Sequence, residues 1–159
     1  SRSSLWGSVA LWIGLGAIGL WVLGLTPWDA VLGGLLAVAI HWLSDFLHQY
    51  GHAIAARRTG YPMTGLRFWG VFSTSLWPAD EPALPGRIHI KRALGGPIAS
   101  MVLGLIALVI AWLLGPGAGL VWWLAIFAAF DNLVVLGLGA FLPLGFTDGS
   151  TILHWWRRW

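Results

Sequence analysis

The sequence has no cysteine, which excludes a disulfide framework and thiolate chemistry and leaves the redox compartment open. It is nearly as poor in charge. Only 9% of its 159 residues are Asp, Glu, Lys or Arg, against about a quarter in a soluble domain, so it cannot cover its surface for water. Acids are scarcest, at 6, and the formal net charge is +3. This basic excess does not call for nucleic acid, because the Lys and Arg residues gather at the ends of apolar runs, where cytoplasmic flanks of membrane segments carry them. Internal repeats and low-complexity tracts are also missing.

Apolar residues supply 58% of the chain, and the mean hydropathy is +0.78. The 13 tryptophans suit a protein with two bilayer interfaces to anchor. These features predict an all-α polytopic membrane protein, a single domain over residues 1–159 embedded in the lipid bilayer. Four transmembrane helices are expected at about 5–25, 30–56, 97–114 and 120–142, with the Asp148 segment following. A short β-rich membrane-surface segment is expected between helices 2 and 3. The first run is longer than the apolar core of a signal peptide and has no small-x-small exit site, so it reads as a membrane helix. Its Gly14, Gly16 and Gly19 would let a neighbouring helix approach closely. Thr26-Pro27-Trp28-Asp29 reads as a turn with a helix cap at Asp29.

Residues 66–76 are rich in β-formers and predict one or two short strands. Pro78, Pro82 and Pro85 keep the next stretch extended or turned. Non-helical backbone at membrane depth must be buried in protein or line a wet cavity. The segment is therefore either a wall of a functional site or a surface hairpin. Gly95-Gly96-Pro97 reads as the opening of the third helix. Arg57, Arg58, Arg67, Arg87, Lys91 and Arg92 outnumber Asp80 and Glu81 in the middle segment. The positive-inside rule then places that segment and both termini in the cytoplasm. His154, Trp155, Trp156, Arg157, Arg158 and Trp159 form an aromatic and basic interface anchor.

The chemistry concentrates in the second run. At about 100° per residue, His41, Asp45, His48 and His52 fall within a stripe about 60° wide. Ionisable groups inside a membrane are costly and mark function by default; hydrogen bonding within the bundle is the plainer alternative. Within His48-Gln49-Tyr50-Gly51-His52 the histidines are four apart, so both imidazoles can face one metal ion. The zinc-protease signature H-E-x-x-H has this spacing, with the glutamate as general base; here Gln49 takes that position. Counting about 1.5 Å per residue from Arg57 and Arg157, His48 and Asp148 both lie about 13 Å inside the cytoplasmic face. Two histidines and a carboxylate at one depth can close on a zinc with one position open. Asp45, one turn before His48, is a candidate to orient a ligand imidazole, or else contacts another helix.

In these residues the chain resembles the site-2 proteases, the intramembrane zinc metalloproteases. His48-Gln49-Tyr50-Gly51-His52 resembles the family's H-E-x-x-H, and Gly95-Gly96-Pro97 its glycine–proline entry to the next helix. Leu142-Pro143-Leu144-Gly145-Phe146-Thr147-Asp148-Gly149 resembles its N-x-x-P-x-x-x-L-D-G segment. The resemblance implies that His48, His52 and Asp148 bind one Zn2+ per chain, with Gln49 at the general-base position. It implies an endopeptidase that cleaves transmembrane segments of membrane protein substrates in regulated intramembrane proteolysis. The region holding Leu66, Phe68, Gly70, Phe72 and Ser73 would resemble the family's edge strand, which pairs with unwound substrate. An amide cannot take and return a proton near neutral pH, so the chain as it stands should not cleave. Gln49 makes it either a natural pseudoprotease that binds membrane clients or an active enzyme disabled on purpose. Two further departures are Ala140, at the family's asparagine, and Thr147, at a usual leucine. Asn132 is a candidate to take over the polar role, and Thr147 is expected to matter little. A haem bundle ligated among His41, His48, His52, His89 and His154, and an ion transporter, are the competing classes. No pattern here sets the oligomeric state.

Overall fold

α1 spans Arg2–Trp21 and α2 spans Pro27–Arg58. The computed structural model describes residues 1–156 and 158; Arg157 and Trp159, part of the expected terminal anchor, lie outside the described residues. α2 starts at Pro27 because Thr26, not Asp29, is its N-cap. The Thr26 hydroxyl accepts from the Asp29 N–H at 3.1 Å and donates to Asp29 Oδ2 at 2.8 Å. Proline at the first position gives up no helical bond, and Asp29 suits the positive helix end. With 32 residues, α2 is about 48 Å long, more than one hydrocarbon layer of about 30 Å. α1 packs on it through small residues, as expected, with Gly16 and Gly19 against Ala30. Gly14 does not contribute; a side chain there would meet nothing.

The β-rich segment is a two-stranded antiparallel hairpin, β1 at Gly65–Trp69 and β2 at Phe72–Leu76. Its register pairs Trp69 with Phe72 and Phe68 with Ser73. The two-residue turn is Gly70-Val71, with Gly70 at φ 51°, a backbone that glycine reaches without strain. The turn docks on α1: a Cβ on Gly7 would lie 2.8 Å from the Gly70 carbonyl.

α3 runs Gly86–Leu114, so Gly95-Gly96-Pro97 lies inside the helix and does not open it. The glycines are there for packing. A Cβ on Gly51 of α2 would overlap the Gly95 carbonyl, and one on Gly95 would overlap the Gly51 carbonyl. The two backbones thus touch without intervening side chains, as small residues permit in membrane bundles. Pro97 costs α3 one backbone bond and sits fully buried.

After a 3-10 turn at Pro116–Ala118, α4 spans Leu120–Phe130 and continues as a π-helix over Asp131–Leu138, then a 3-10 turn at Gly139–Phe141. Asn132 accounts for the widening. Its side-chain Nδ2 donates to the Ala128 carbonyl at 3.0 Å, a capture that loosens the helical ladder. α5 spans Asp148–Trp156. Gly149 lets it close on the preceding segment, since a Cβ there would overlap the Phe141 carbonyl.

Among the described residues, four helices are long and apolar enough to cross a membrane. The burial pattern is that of a protein in lipid. Trp6, Trp21, Trp112 and Ile98 are exposed, whereas His41, Asp45, His48, Gln49, Arg92, Ser100 and Asp131 are buried. The protein is an all-α integral membrane protein with one small hairpin between its second and third long helices.

Candidate metal centre

His48 and His52 project from the C-terminal half of α2 towards α5, and Asp148 opens α5 opposite them. His48 Nε2 lies 3.1 Å from His52 Nε2. Asp148 reaches both, Oδ2 to His48 Nε2 at 3.4 Å and Oδ1 to His52 Nε2 at 3.3 Å. A tetrahedral zinc about 2.0–2.1 Å from each donor holds its donors about 3.3–3.4 Å apart. The His–His spacing and the two carboxylate spacings, each to a different oxygen of Asp148, lie close to that edge length, so the residues fit the metal. Gly96 of α3 forms the floor: a Cβ there would overlap Nε2 of both histidines.

The other nitrogen of each ring is held from α3. His48 Nδ1 lies 2.9 Å from the Ser100 hydroxyl. His52 Nδ1 lies 2.8 Å from the Arg92 carbonyl, which can only accept, so Nδ1 carries the proton and leaves the Nε2 lone pair free. The Gly96 N–H, at 3.2 Å from the same nitrogen, would need the opposite tautomer, and the shorter contact decides. Such outer partners aim ligand rings at a metal. Asp45 does not serve this way. Its carboxylate accepts from Ser73, from the hydroxyl at 2.5 Å and from the N–H at 3.3 Å. The orienting groups are Ser100 and the Arg92 carbonyl. The lone hydroxyl of Ser100 in the apolar stretch 98–114 was the signal for the first; nothing in a sequence marks the second. A Ser100→Ala variant should therefore hold zinc about 10- to 100-fold more weakly, read by competition with a chelating indicator, whereas Asp45→Ala should leave the affinity within about threefold.

Around these groups is a cavity of about 530 Å³, lined on one side by Ser73, Thr74 and Ser75 of β2 and on another by Trp77 and Arg92. Arg92 is 3% exposed. Its guanidinium lies 3.3 Å from the centre of the Trp77 ring and pairs with Glu81 at 3.0 Å, so stacking and charge together strap the proline-rich stretch over the cavity. Gln49 also lines it. Its Nε2 donates to the Ser73 carbonyl at 2.9 Å, and its Oε1 accepts from the Ser75 hydroxyl at 2.8 Å.

The chain's fold is similar to that of a site-2 protease. The solved structure is the site-2 protease from Methanocaldococcus jannaschii, with a TM-score of 0.55 and 18% identity, covering 92% of this chain and 62% of that one. This chain thus spans less than two thirds of that protein's length. No family model matches the sequence, and no curated protein does. Along this chain the helix with His48 and His52 comes first, then the hairpin, the glycine-bearing helix and the Asp148 segment.

Several expected site residues stand elsewhere. His41 belongs to a separate buried pair, with Nδ1 3.0 Å from Asp131 Oδ1 and Nε2 2.6 Å from the Val71 carbonyl. Asn132 donates to Ser44 at 2.7 Å, which ties the π-helix to α2 and leaves the polar position at Ala140 unfilled by it. His89 stacks on Trp155 at 4.1 Å, and His154 meets the same ring edge-on at 5.0 Å. A haem reading needs histidines on facing helices, whereas the converging pair shares one helix. Leu66 and Phe68 lie on β1, Gly70 at the turn, and Phe72 and Ser73 on β2. Thr147 matters more than expected. Its hydroxyl donates to the Leu142 carbonyl, accepts from the Leu144 N–H at 3.3 Å and lies 3.0 Å from Ser150 Oγ. It knots the turn that presents Asp148, which a leucine could not do.

Proposed function

We propose that this chain has the architecture of a zinc-dependent intramembrane endopeptidase of the site-2 type, held without cleavage by Gln49. The observation that carries this reading is the triangle of His48 Nε2, His52 Nε2 and Asp148, with donor atoms within 4.8 Å of one another, on a fold similar to such a protease. Zinc in that place supplies a Lewis acid for a peptide carbonyl and for water. The chain's own residues do the rest. His52 presents an unprotonated Nε2 atom and His48 turns its Nε2 to the same point, and Asp148 would neutralise part of the metal's charge from the opposite element. The cavity beside β2 admits an unwound segment, because a helical peptide keeps its carbonyls in its own hydrogen bonds. Gln49 stands where a carboxylate would take a proton from water and return it to the leaving amine, and its amide can do neither.

The substrate class under this reading is a transmembrane segment of another membrane protein. The active site opens towards the cytoplasmic side, where both termini lie. A client-binding pseudoprotease is the second reading, favoured by the use of both polar atoms of Gln49 in bonds to β2. One experiment divides them. Metal analysis of purified protein should give one zinc per chain. Gln49→Glu should then cut single-span substrates in liposomes within the span, raising a rate indistinguishable from background by at least about 100-fold, the usual lower bound for a positioned general base. Zinc without cleavage favours the pseudoprotease; a chain that takes up no zinc removes the metal centre altogether.

A further inference from the structure

The polar stripe of α2 does two different jobs. His48 and His52 face Asp148, whereas His41, Asp45 and Gln49, four residues apart, face the hairpin. The Val71 carbonyl accepts from His41 Nε2 at 2.6 Å. The Ser73 N–H and hydroxyl donate to Asp45 at 3.3 and 2.5 Å. The Ser73 carbonyl accepts from Gln49 Nε2 at 2.9 Å, and the Ser75 hydroxyl donates to Gln49 Oε1 at 2.8 Å. The periods agree: four helical residues rise about 6.0 Å and two strand residues about 6.8 Å. Positions 41, 45 and 49 therefore meet 71, 73 and 75 as successive rungs.

The rungs fall on one side of the strand. Ser73 pairs in register with Phe68 of β1, yet its N–H and C=O both turn to α2 side chains. In an antiparallel ladder, alternate residues bond to the neighbouring strand and the intervening ones face away. Ser73 thus offers its backbone at the free edge of β2, the edge that lines the cavity. A peptide adding itself to that edge would use the same N–H and C=O.

We propose that α2 closes its own strand edge: Asp45 takes the place of a substrate carbonyl and Gln49 that of a substrate N–H, so an extended peptide can dock at Ser73 only after this clasp lets go. The inference rests on the reading of the cavity as a site for unwound transmembrane segments. It gives Gln49 a role beyond the lack of a base. A glutamate there would set a carboxylate oxygen against the Ser73 carbonyl oxygen, two acceptors facing each other. One substitution would then supply the base and release a rung.

The test uses the full chain in phosphatidylcholine nanodiscs with a dye-labelled single-span peptide of about 20 residues, polyleucine broken by Gly-Pro at its centre. Asp45→Ala and Gln49→Ala each remove one rung. Each should speed amide exchange across residues 72–76 by at least about tenfold and tighten peptide binding by about tenfold. Gly14→Ala, in open space on α1, should change neither. Gln49→Ala keeps the test open if Asp45→Ala does not fold. Exchange that does not quicken would show that these contacts do not close the edge, and quickened exchange without tighter binding would show that the peptide docks elsewhere; either result overturns the clasp. Zinc uptake and Gln49→Glu cleavage are separate readouts. A chain that binds zinc and cleaves but shows no gain in peptide affinity loses the clasp alone. A chain that takes up no zinc yet binds peptide more tightly when a rung is removed keeps the clasp and loses the protease.

Discussion

Gly96→Ala is expected to empty the proposed metal centre. The ideal Cβ at this position overlaps Nε2 of His48 and of His52 at once, so one methyl occupies the space between two ligands. The helix offers no relief, because Gly95 already has its Cβ position filled by the α2 backbone and α3 cannot slide away. Alanine would normally strengthen a helix over glycine by about 0.5–1 kcal/mol, so the loss should be local. We expect zinc to fall from one per chain to under about a tenth, and affinity to drop at least about 100-fold, near 2.8 kcal/mol. Helix content by circular dichroism should stay as it was. Gly14→Ala, in open space on α1, is the control that should keep its zinc. Full occupancy in Gly96→Ala would mean that the histidines bind metal in other rotamers and that the observed triangle is not the site.

The second large effect is on stability. Asp131→Ala should destabilise the protein by about 3–5 kcal/mol, the range for breaking a buried pair by removing one partner. His41 and Asp131 are 4% and 3% exposed. The Val71 carbonyl lies against Nε2, and Asp131 Oδ1 is the partner of the ring's other nitrogen. Without Asp131 the buried Nδ1 is left with no partner. The pair also joins α2 to the π-helical turn, so the loss should loosen α4 as well. Thermal unfolding in detergent reads the effect, and His41→Ala with Asp131→Ala should cost clearly less than the two single changes added. If the single changes simply add, the two groups do not hold each other and the pairing is incidental.

Composition alone carried the four membrane helices and the hairpin, since apolar runs of that length and a β-forming stretch between prolines have few other solutions. The convergence of His48, His52 and Asp148 was also legible, because the spacing of the two histidines and the depth of Asp148 are simple functions of helical rise. Helix boundaries were not. Gly95-Gly96-Pro97 looks like punctuation, but its glycines answer to a neighbour, the α2 backbone and the two imidazoles, that the linear text does not display. The π-helix was hidden for a similar reason: Asn132 changes the local pitch by bonding to Ala128, and any residue that follows is rotated off the expected face. By its place one turn before His48, Asp45 is a candidate either to orient an imidazole or to contact another element, and the sequence does not choose between them. Ser73, on a strand whose docking could not be read, competes for it and wins.

The three donor atoms come from places far apart in the chain, two from α2 and one from α5, with the hairpin, α3 and α4 strung between them. A bound ion would therefore act as a clip across a loop of about a hundred residues. Such a closure acts first on the disordered ensemble, which loses more freedom the longer the loop. The native chain would gain by mass action, about 2.7 kcal/mol at a free metal concentration 100 times the dissociation constant. Metal supply would then set not only whether this chain has its centre but how long α5 stays docked.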